Sequence, residues 1–190
     1  SHYRLSLHLF LAFIILSLIF WNYLKCKNIN YSQDKIKNFL PITFLLLIFI
    51  QIIIGAFVSG MDAGKIYNSW PLMGKSYFPD DNVIANLFNL SVFNEPSLMQ
   101  FVHRNLAYLI FFFYLLIFIN IYKNKLSTFF KVINIIGLLL FLQIVLGILT
   151  LLSGAQIFIA SMHQISSIFL VSSSIYLVYL NFYSNLQPLD

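Results

Sequence analysis

The chain has 190 residues, of which 60% are hydrophobic and 9% are charged. Soluble domains carry roughly 25% charged residues, so this composition excludes a water-soluble globular protein and indicates an integral membrane protein. The net charge of +5 does not indicate nucleic-acid binding, because the lysines lie in loops between apolar stretches. A single cysteine, Cys26, excludes an internal disulfide.

Five apolar stretches are each long enough to cross a membrane as a helix, which takes about 20 residues. They cover residues 4–24, 38–60, 98–122, 128–152 and 156–181. Every backbone polar group must be satisfied inside lipid, and no strand-length alternation occurs, so we predict an all-α protein with five transmembrane helices. The chain begins at Ser1, without methionine, and enters the first span almost at once, which indicates a fragment or a processed chain. That span is too long for a signal peptide.

The lysine distribution predicts the orientation of the spans. Lysines are concentrated in segments 25–37 and 123–131, whereas the long segment 61–97 holds two lysines and four acidic residues. By the positive-inside rule, the lysine-rich segments face the cytoplasm, or the matrix of an organelle. Segment 61–97 and the tight turn 153–156 then face outward, the first span begins outside and the C-terminus ends inside.

Three histidines lie at matching depth in the spans that are entered from outside. His8, His103 and His163 come about five, five and seven residues after the predicted starts of the first, third and fifth spans. A rise of 1.5 Å per residue places all three roughly 7–10 Å below the outer helix ends. An ionisable residue inside a span indicates function, and neutral imidazole is a common heme ligand. The alternative is a histidine that only makes a hydrogen bond in helix packing.

A repeated unit links two of these histidines. The segment QIIIGAFVSG starts at Gln51, and QIVLGILTLLSG starts at Gln143. Each is followed by a small-residue outer segment and then by a span that carries His103 or His163. We expect the two copies to place these histidines on opposite faces of one central cavity, as helical bundles build cofactor sites. The glutamines are expected to make interhelical hydrogen bonds, and the glycine four residues later allows close approach. These glycines are Gly55 and Gly147.

The outer loop 61–97 is long for a connection between spans, which is typical of functional loops. Residues 82–90 have apolar positions at roughly helical spacing, which predicts a short amphipathic helix in the membrane interface. The stretch Asn68–Gly74 contains Trp70. Trp70 fits an interfacial anchor and a lid over a ligand equally well.

Arg104 follows His103 near the outer interface, where its side chain has two possible roles. It can extend into the interface, or pair with a carboxylate such as a heme propionate, as can Arg4. The acids Asp62 and Glu95 are expected to be solvated. We assign no role to His2 and Cys26.

Several runs together resemble the heme A synthases of proteobacteria and mitochondria. They are YRLSLHL, QIIIGAFVSGMDAGKIYNSWPLMG, FNEPSLMQFVHRNLAY, QIVLGILTLLSG and MHQ, between Tyr3 and about Gln164. The resemblance implies eight spans in two four-helix halves, of which this chain matches the fourth to eighth. It implies that His103 and His163 are the axial ligands of a heme b iron, which suits electron transfer. It also implies that His8 is a ligand of the substrate, heme O, in the other half.

The resemblance also predicts a division of the chain. Residues 1–24 would be the last helix of the N-terminal, substrate-heme half, and residues 25–37 an inner loop. Residues 38–182, with the outer loop 61–97, would form the C-terminal four-helix heme b half. The first three spans of the family, with their histidine and glutamate, are not matched, so the chain is expected to be an incomplete enzyme.

The function implied is that of an oxidoreductase in heme A biosynthesis, which oxidises the C8 methyl of heme O to the formyl of heme A by successive hydroxylation. Implied partners are heme O, membrane lipid, heme O synthase, cytochrome oxidase assembly proteins and an unidentified electron donor. The location would be the bacterial inner membrane, with the mitochondrial inner membrane as alternative. Two other functions stay open: a bis-histidine cytochrome b electron carrier, and a heme transporter, which would need helices broken at mid-membrane.

Overall fold

The computed structural model describes residues 1–27 and 34–183. Within these residues the chain forms five helices that are long and apolar enough to cross a membrane. They are α1 (His2–Lys25), α2 (Phe39–Gly60), α3 (Pro96–Lys123), α4 (Phe130–Leu152) and α5 (Ile157–Tyr183). The five spans and the all-α fold class predicted from the sequence are confirmed, with the helix bounds shifted by two residues or fewer. Part of the predicted inner loop 25–37 and the predicted inner C-terminus lie outside the described residues.

The helix ends follow local backbone chemistry. Proline occupies the first position of α3, where its missing N–H and fixed φ suit a helix start. After α4, Gly154 and Ala155 have φ values of 68° and 60°, a left-handed conformation that stops a helix. The chain therefore reverses within four residues and enters α5 at once, which makes α4 and α5 an antiparallel pair.

Helices α2 to α5 form a four-helix bundle, and α1 lies outside it against α2 and α5. The bundle core is apolar, as it must be where no water reaches. Its fully buried side chains include Phe44, Ile117, Ile133, Ile136 and Val171. In this bundle α2 packs against α3 and α5, and α4 packs against α3 and α5.

The bundle has two chemically different ends. The histidine end is the end where α1, α3 and α5 begin, and the loop 61–97 covers part of it. The lysine end is the opposite end, where the lysine-rich segments lie. α1 is attached at both ends: Ser6 Oγ donates to the Ile53 carbonyl (3.2 Å) at the histidine end, and Tyr179 Oη donates to the Leu24 carbonyl (3.2 Å) at the lysine end. α1 is therefore held along its whole length against the bundle.

The face of α1 that points away from the bundle is exposed and apolar. Its large exposed side chains include Leu7, Leu11, Ile15, Leu18 and Ile19. Such a continuous apolar face is typical of a surface in contact with lipid or with another membrane segment.

The predicted amphipathic helix over residues 82–90 is wrong. The structure has two short 3-10 helices, Ile84–Phe88 and Leu90–Asn94, separated by the extended residue Asn89. Asparagine side chains explain the break, because Asn86 Nδ2 donates to Asn82 Oδ1, and Asn82 Nδ2 donates to Ser97 Oγ. Side chains of this kind compete with the hydrogen bonds of a regular helix.

Candidate functional site

His103 lies in the second turn of α3, seven residues after Pro96, and its ring packs against α2. The contact is at Gly55, where an added Cβ would lie 3.1 Å from Cε1 of the His103 imidazole. Any larger residue at this position would push the ring away. The sequence predicted space at this glycine for another helix or a flat ligand, and in the structure the histidine ring occupies that space.

His163 has the same environment on the other side of the bundle. It lies six residues after Ile157 in α5, and an added Cβ at Gly147 of α4 would lie 3.2 Å from its Cε1. The two distances agree within 0.1 Å, so the two copies of the repeat place their imidazoles in the same way against the preceding helix.

The glutamines of the repeat hold the backbone of the histidines. Gln51 Nε2 donates to the His103 carbonyl, and Gln143 Nε2 donates to the His163 carbonyl, each at 3.0 Å. Because a carbonyl oxygen only accepts, the amide atom facing it must be nitrogen, which fixes the orientation of both amides. The interhelical hydrogen bonds predicted for the two glutamines are confirmed.

The two copies differ in what else the amide contacts. Gln143 Nε2 also donates to Ser166 Oγ (2.6 Å), whose hydroxyl contacts the His163 carbonyl at 3.0 Å. At the position that corresponds to Ser166, the His103 helix has Leu106. Gln51 Nε2 lies instead 3.4 Å from Nε2 of the His103 ring.

Both imidazoles keep a buried polar atom without a partner. Among residues 1–27 and 34–183, no hydrogen bond reaches Nδ1 of His103 or Nδ1 of His163. Buried polar atoms without partners are rare and require an explanation. The contacts that position the two rings leave both Nδ1 atoms without such an explanation.

The donor set indicates which ligand fits. In the part of the chain that the structure describes, no group of three or more His, Cys, Asp and Glu side chains could hold a metal ion. A tetrahedral zinc site takes three or four protein ligands. Two imidazoles without a carboxylate or thiolate fit the two axial positions of a heme iron, whose other ligands come from the porphyrin.

His8 lies apart from this pair. It comes six residues after the start of α1, so all three histidines are about 9–11 Å from the first residue of their helices. The matching depth expected from the sequence agrees with these helix bounds. His8 is exposed, whereas Ser6 on the same helix is buried against α2. The structure therefore brings His103 and His163 into one bundle and leaves His8 outside it.

Arg104 holds the outer loop. Its guanidinium donates to the carbonyls of Ser69 (3.0 Å), Leu72 (3.3 Å) and Tyr67 (3.1 Å). Its Nε is buried and has no hydrogen-bond partner among the described residues. The sequence suggested an interfacial cation or a propionate contact and did not anticipate this binding of loop carbonyls.

Three further side chains fasten one part of the outer loop, residues 67–74, which we call the clamp segment. Trp70 Nε1 donates to the Tyr108 hydroxyl (3.0 Å), and Gln100 Nε2 donates to the Tyr67 carbonyl (3.1 Å). Asn68 Nδ2 donates to the Leu151 carbonyl at the end of α4 (2.8 Å). The clamp segment therefore lies across the ends of α3 and α4 at the histidine end.

Three other residues near the histidine end make local contacts. His2 lies beside Gly60, where an added Cβ would come within 2.9 Å of the His2 backbone, and its ring is 5.6 Å from that of Phe57. Asp62 is exposed and pairs with Lys65 at 2.7 Å. Burial raises the pKa of the Tyr67 hydroxyl in the clamp segment, and its hydrogen bond to a carboxylate adds to this effect.

Comparisons with known proteins give one family and a set of relatives. The model of the family described as cytochrome oxidase assembly protein matches residues 1–175. A protein of Pelagibacter ubique named heme A synthase is 45% identical over 181 residues, which are 95% of this chain and 53% of that protein. A protein of the same name from Rickettsia prowazekii is 35% identical, over 95% of this chain and 54% of that protein. Another from Rickettsia felis is 38% identical, over 90% of this chain and 52% of that protein. The chain spans about half the length of these relatives. No solved structure matches it.

Proposed function

The chain belongs to the family of cytochrome oxidase assembly proteins, and from that membership we propose that it acts in heme A biosynthesis. The relatives named heme A synthase support this proposal. For the whole protein we propose an oxidoreductase that converts the C8 methyl group of heme O into the formyl group of heme A. The observation that carries the proposal is the matched pair of histidine sites in α3 and α5.

We propose that residues 38–182 form the half that binds heme b, in which His103 and His163 would hold the heme iron. Two observations support this assignment. Each ring packs on a glycine, and the two imidazoles are a donor set that fits heme better than a bare ion. Heme b, when bound, supplies one-electron redox chemistry.

The side chains around the two imidazoles have separate roles in this proposal. Gln51 and Gln143 fix the backbone of each histidine, and the repeat glycines set the distance from each ring to the neighbouring helix. The clamp segment, fastened by Arg104, limits access of water to the histidine end. The unpartnered Nε of Arg104 is the atom that we propose for a propionate contact, because its other two nitrogens already bind loop carbonyls.

We propose that residues 1–24 belong to the substrate-heme half and that His8 is a ligand of heme O. The exposed position of His8 on the apolar outer face of α1 supports this division. Heme O is then the substrate, and an electron donor, heme O synthase and other cytochrome oxidase assembly proteins are the proposed partners. The proposed location is the bacterial inner membrane.

Heme A production tests the proposed division into a heme b half and a substrate-heme half. Oxidation of a methyl group needs a pocket that fixes the substrate on all sides. Of the described helices, only α1 is assigned to the substrate-heme half. We therefore expect the 190-residue chain, expressed in a host that makes heme O and lacks its own synthase, to bind heme b and to make no heme A. Co-expression with the three-span segment that the family resemblance predicts is expected to restore turnover. Heme A made by the chain alone would contradict the assignment.

The proposed orientation can be tested by cysteine labelling from outside the membrane. In a Cys26→Ser background, which removes the exposed native thiol, Asp81→Cys should react and Lys125→Cys should not. The reverse pattern would place the histidine end on the inner side.

The second candidate function is a bis-histidine electron carrier without a substrate heme. The observation in its favour is that both members of the histidine pair lie in the described bundle, whereas His8 lies outside it. An electron carrier would make no heme A even when the three-span segment is supplied. A heme transporter is less well supported, because α1 to α5 run without a break over their whole length.

A further inference from the structure

The two histidines of the pair are held differently at the ring, and the difference comes from one residue. Gln143 uses its amide nitrogen for the His163 carbonyl and for Ser166 Oγ. Gln51 uses its amide nitrogen for the His103 carbonyl, and it approaches Nε2 of the His103 ring at 3.4 Å. The repeat thus makes the same backbone contact twice and a ring contact once.

The chemistry of the Gln51 amide determines what this ring contact can be. Its nitrogen is identified by the His103 carbonyl, which can only accept a hydrogen bond. An amide nitrogen only donates, so a hydrogen bond between Gln51 Nε2 and the ring, which lie 3.4 Å apart, forms only when Nε2 of the ring accepts. A neutral imidazole that accepts at Nε2 carries its proton at Nδ1, because the partner of one ring nitrogen decides the state of the other.

We propose that Gln51 is a positioning residue that holds His103 with an unprotonated Nε2, ready to bind iron, whereas Gln143 has no hydrogen bond to the ring of His163 among the described residues. The iron-binding purpose of this arrangement rests on the proposed heme b site, whereas the contact between Gln51 and the ring is observed independently of it. An imidazole binds iron through a nitrogen lone pair, and Gln51 keeps that lone pair on Nε2.

The length of the contact fits this role. At 3.4 Å the hydrogen bond is longer than the usual 2.7–3.2 Å and therefore weak. The bond to the His103 carbonyl at 3.0 Å has ordinary length. Since the amide nitrogen carries two hydrogens, Gln51 can give up the ring while it keeps the backbone carbonyl. His103 therefore stays in place when its Nε2 turns to another partner.

Solid-state nitrogen NMR of the 190-residue chain in lipid, labelled at histidine and free of heme, tests the inference. The chain has four histidines, so the ring signals are few, and a His103→Phe variant identifies those of His103. We expect His103 to be protonated at Nδ1 and unprotonated at Nε2, at a pH well above the usual histidine pKa of about 6.5. A wild-type His103 protonated at Nε2 would overturn the proposal, whether or not any variant folds.

Two matched variants show whether Gln51 is the cause. Gln51→Met removes the amide from the ring, and Gln143→Met removes the equivalent amide from the other copy. We expect the proton of His103 to move towards Nε2 in the first variant and to stay at Nδ1 in the second. An unchanged His103 in Gln51→Met would contradict the role of Gln51.

The proposed function fails in a different way. Absence of a low-spin spectrum after addition of heme b to the wild-type chain would contradict the heme site, even with His103 protonated at Nδ1. A low-spin spectrum together with His103 protonated at Nε2 would support the heme site and contradict the role of Gln51.

Discussion

The α2–α3 pair and the α4–α5 pair are two versions of one unit. Both place a glutamine on the carbonyl of a histidine and a glycine under its ring, with distances that agree within 0.1 Å. They differ in the connection: the first has the long loop 61–97, whereas the second reverses within the turn 153–156. The contacts that repeat are those that touch the histidines, which indicates that the shared task of the two units is to position an imidazole.

The largest expected effect comes from filling the space under either ring. Gly55→Ala and Gly147→Ala place a Cβ 3.1 and 3.2 Å from the imidazole. Overpacking costs about 1–3 kcal/mol, so we expect about tenfold weaker heme b binding in both variants. Titration with heme b measures this loss. Gly64→Ala is the control, because its Cβ would meet Ala155 at 3.3 Å and no histidine. A large loss in only one of the two variants would show that the units are not equivalent.

The next effect concerns the loop that only the first unit has. Arg104→Gln removes the guanidinium that holds three loop carbonyls, and hydrogen bonds to charged groups contribute about 1.5–3 kcal/mol. Because the loop is partly exposed, we expect a loss of about 1.5 kcal/mol in unfolding free energy and faster proteolysis within the clamp segment. Arg4→Gln is the control, since Arg4 is exposed. Equal proteolysis rates in the two variants would contradict the clamp.

The smallest effects distinguish the two glutamines by stability. Gln143→Met removes donors from the His163 carbonyl and from Ser166, and we expect it to cost about 1 kcal/mol. Gln51→Met also removes Oε1, which is buried without a partner among the described residues, so we expect about half that cost. Thermal unfolding in detergent measures both. A greater loss of stability in Gln51→Met than in Gln143→Met would contradict the predicted difference between the two glutamines.

The sequence predicted the parts of this structure that follow from regular patterns. Apolar stretches of sufficient length gave the five spans, and the repeat gave the contacts of Gln51 and Gln143. The spacing between each helix start and its histidine set the common depth of the histidines. The spans and the histidine depth depend on spacing along one helix. The glutamine contacts join residues 52 and 20 positions apart, but they occur in both copies of the repeat, which can be read from the sequence.

The clamp segment could not be predicted because its partners are distant in sequence. Arg104 binds carbonyls 32 to 37 residues away, and Asn68 binds the Leu151 carbonyl 83 residues away. The short helix expected over residues 82–90 failed for a local reason, since asparagine side chains there bond to each other and to Ser97. Apolar spacing alone does not report such competition.

The optical spectrum of the purified 190-residue chain with heme b tests the central claim most directly. If His103 and His163 bind one iron, the wild type shows a low-spin bis-imidazole spectrum, and either His103→Ala or His163→Ala abolishes it. His8→Ala leaves the spectrum unchanged, because His8 lies outside the bundle. A low-spin spectrum that survives in His103→Ala or His163→Ala, or one that is lost in His8→Ala, would contradict the account.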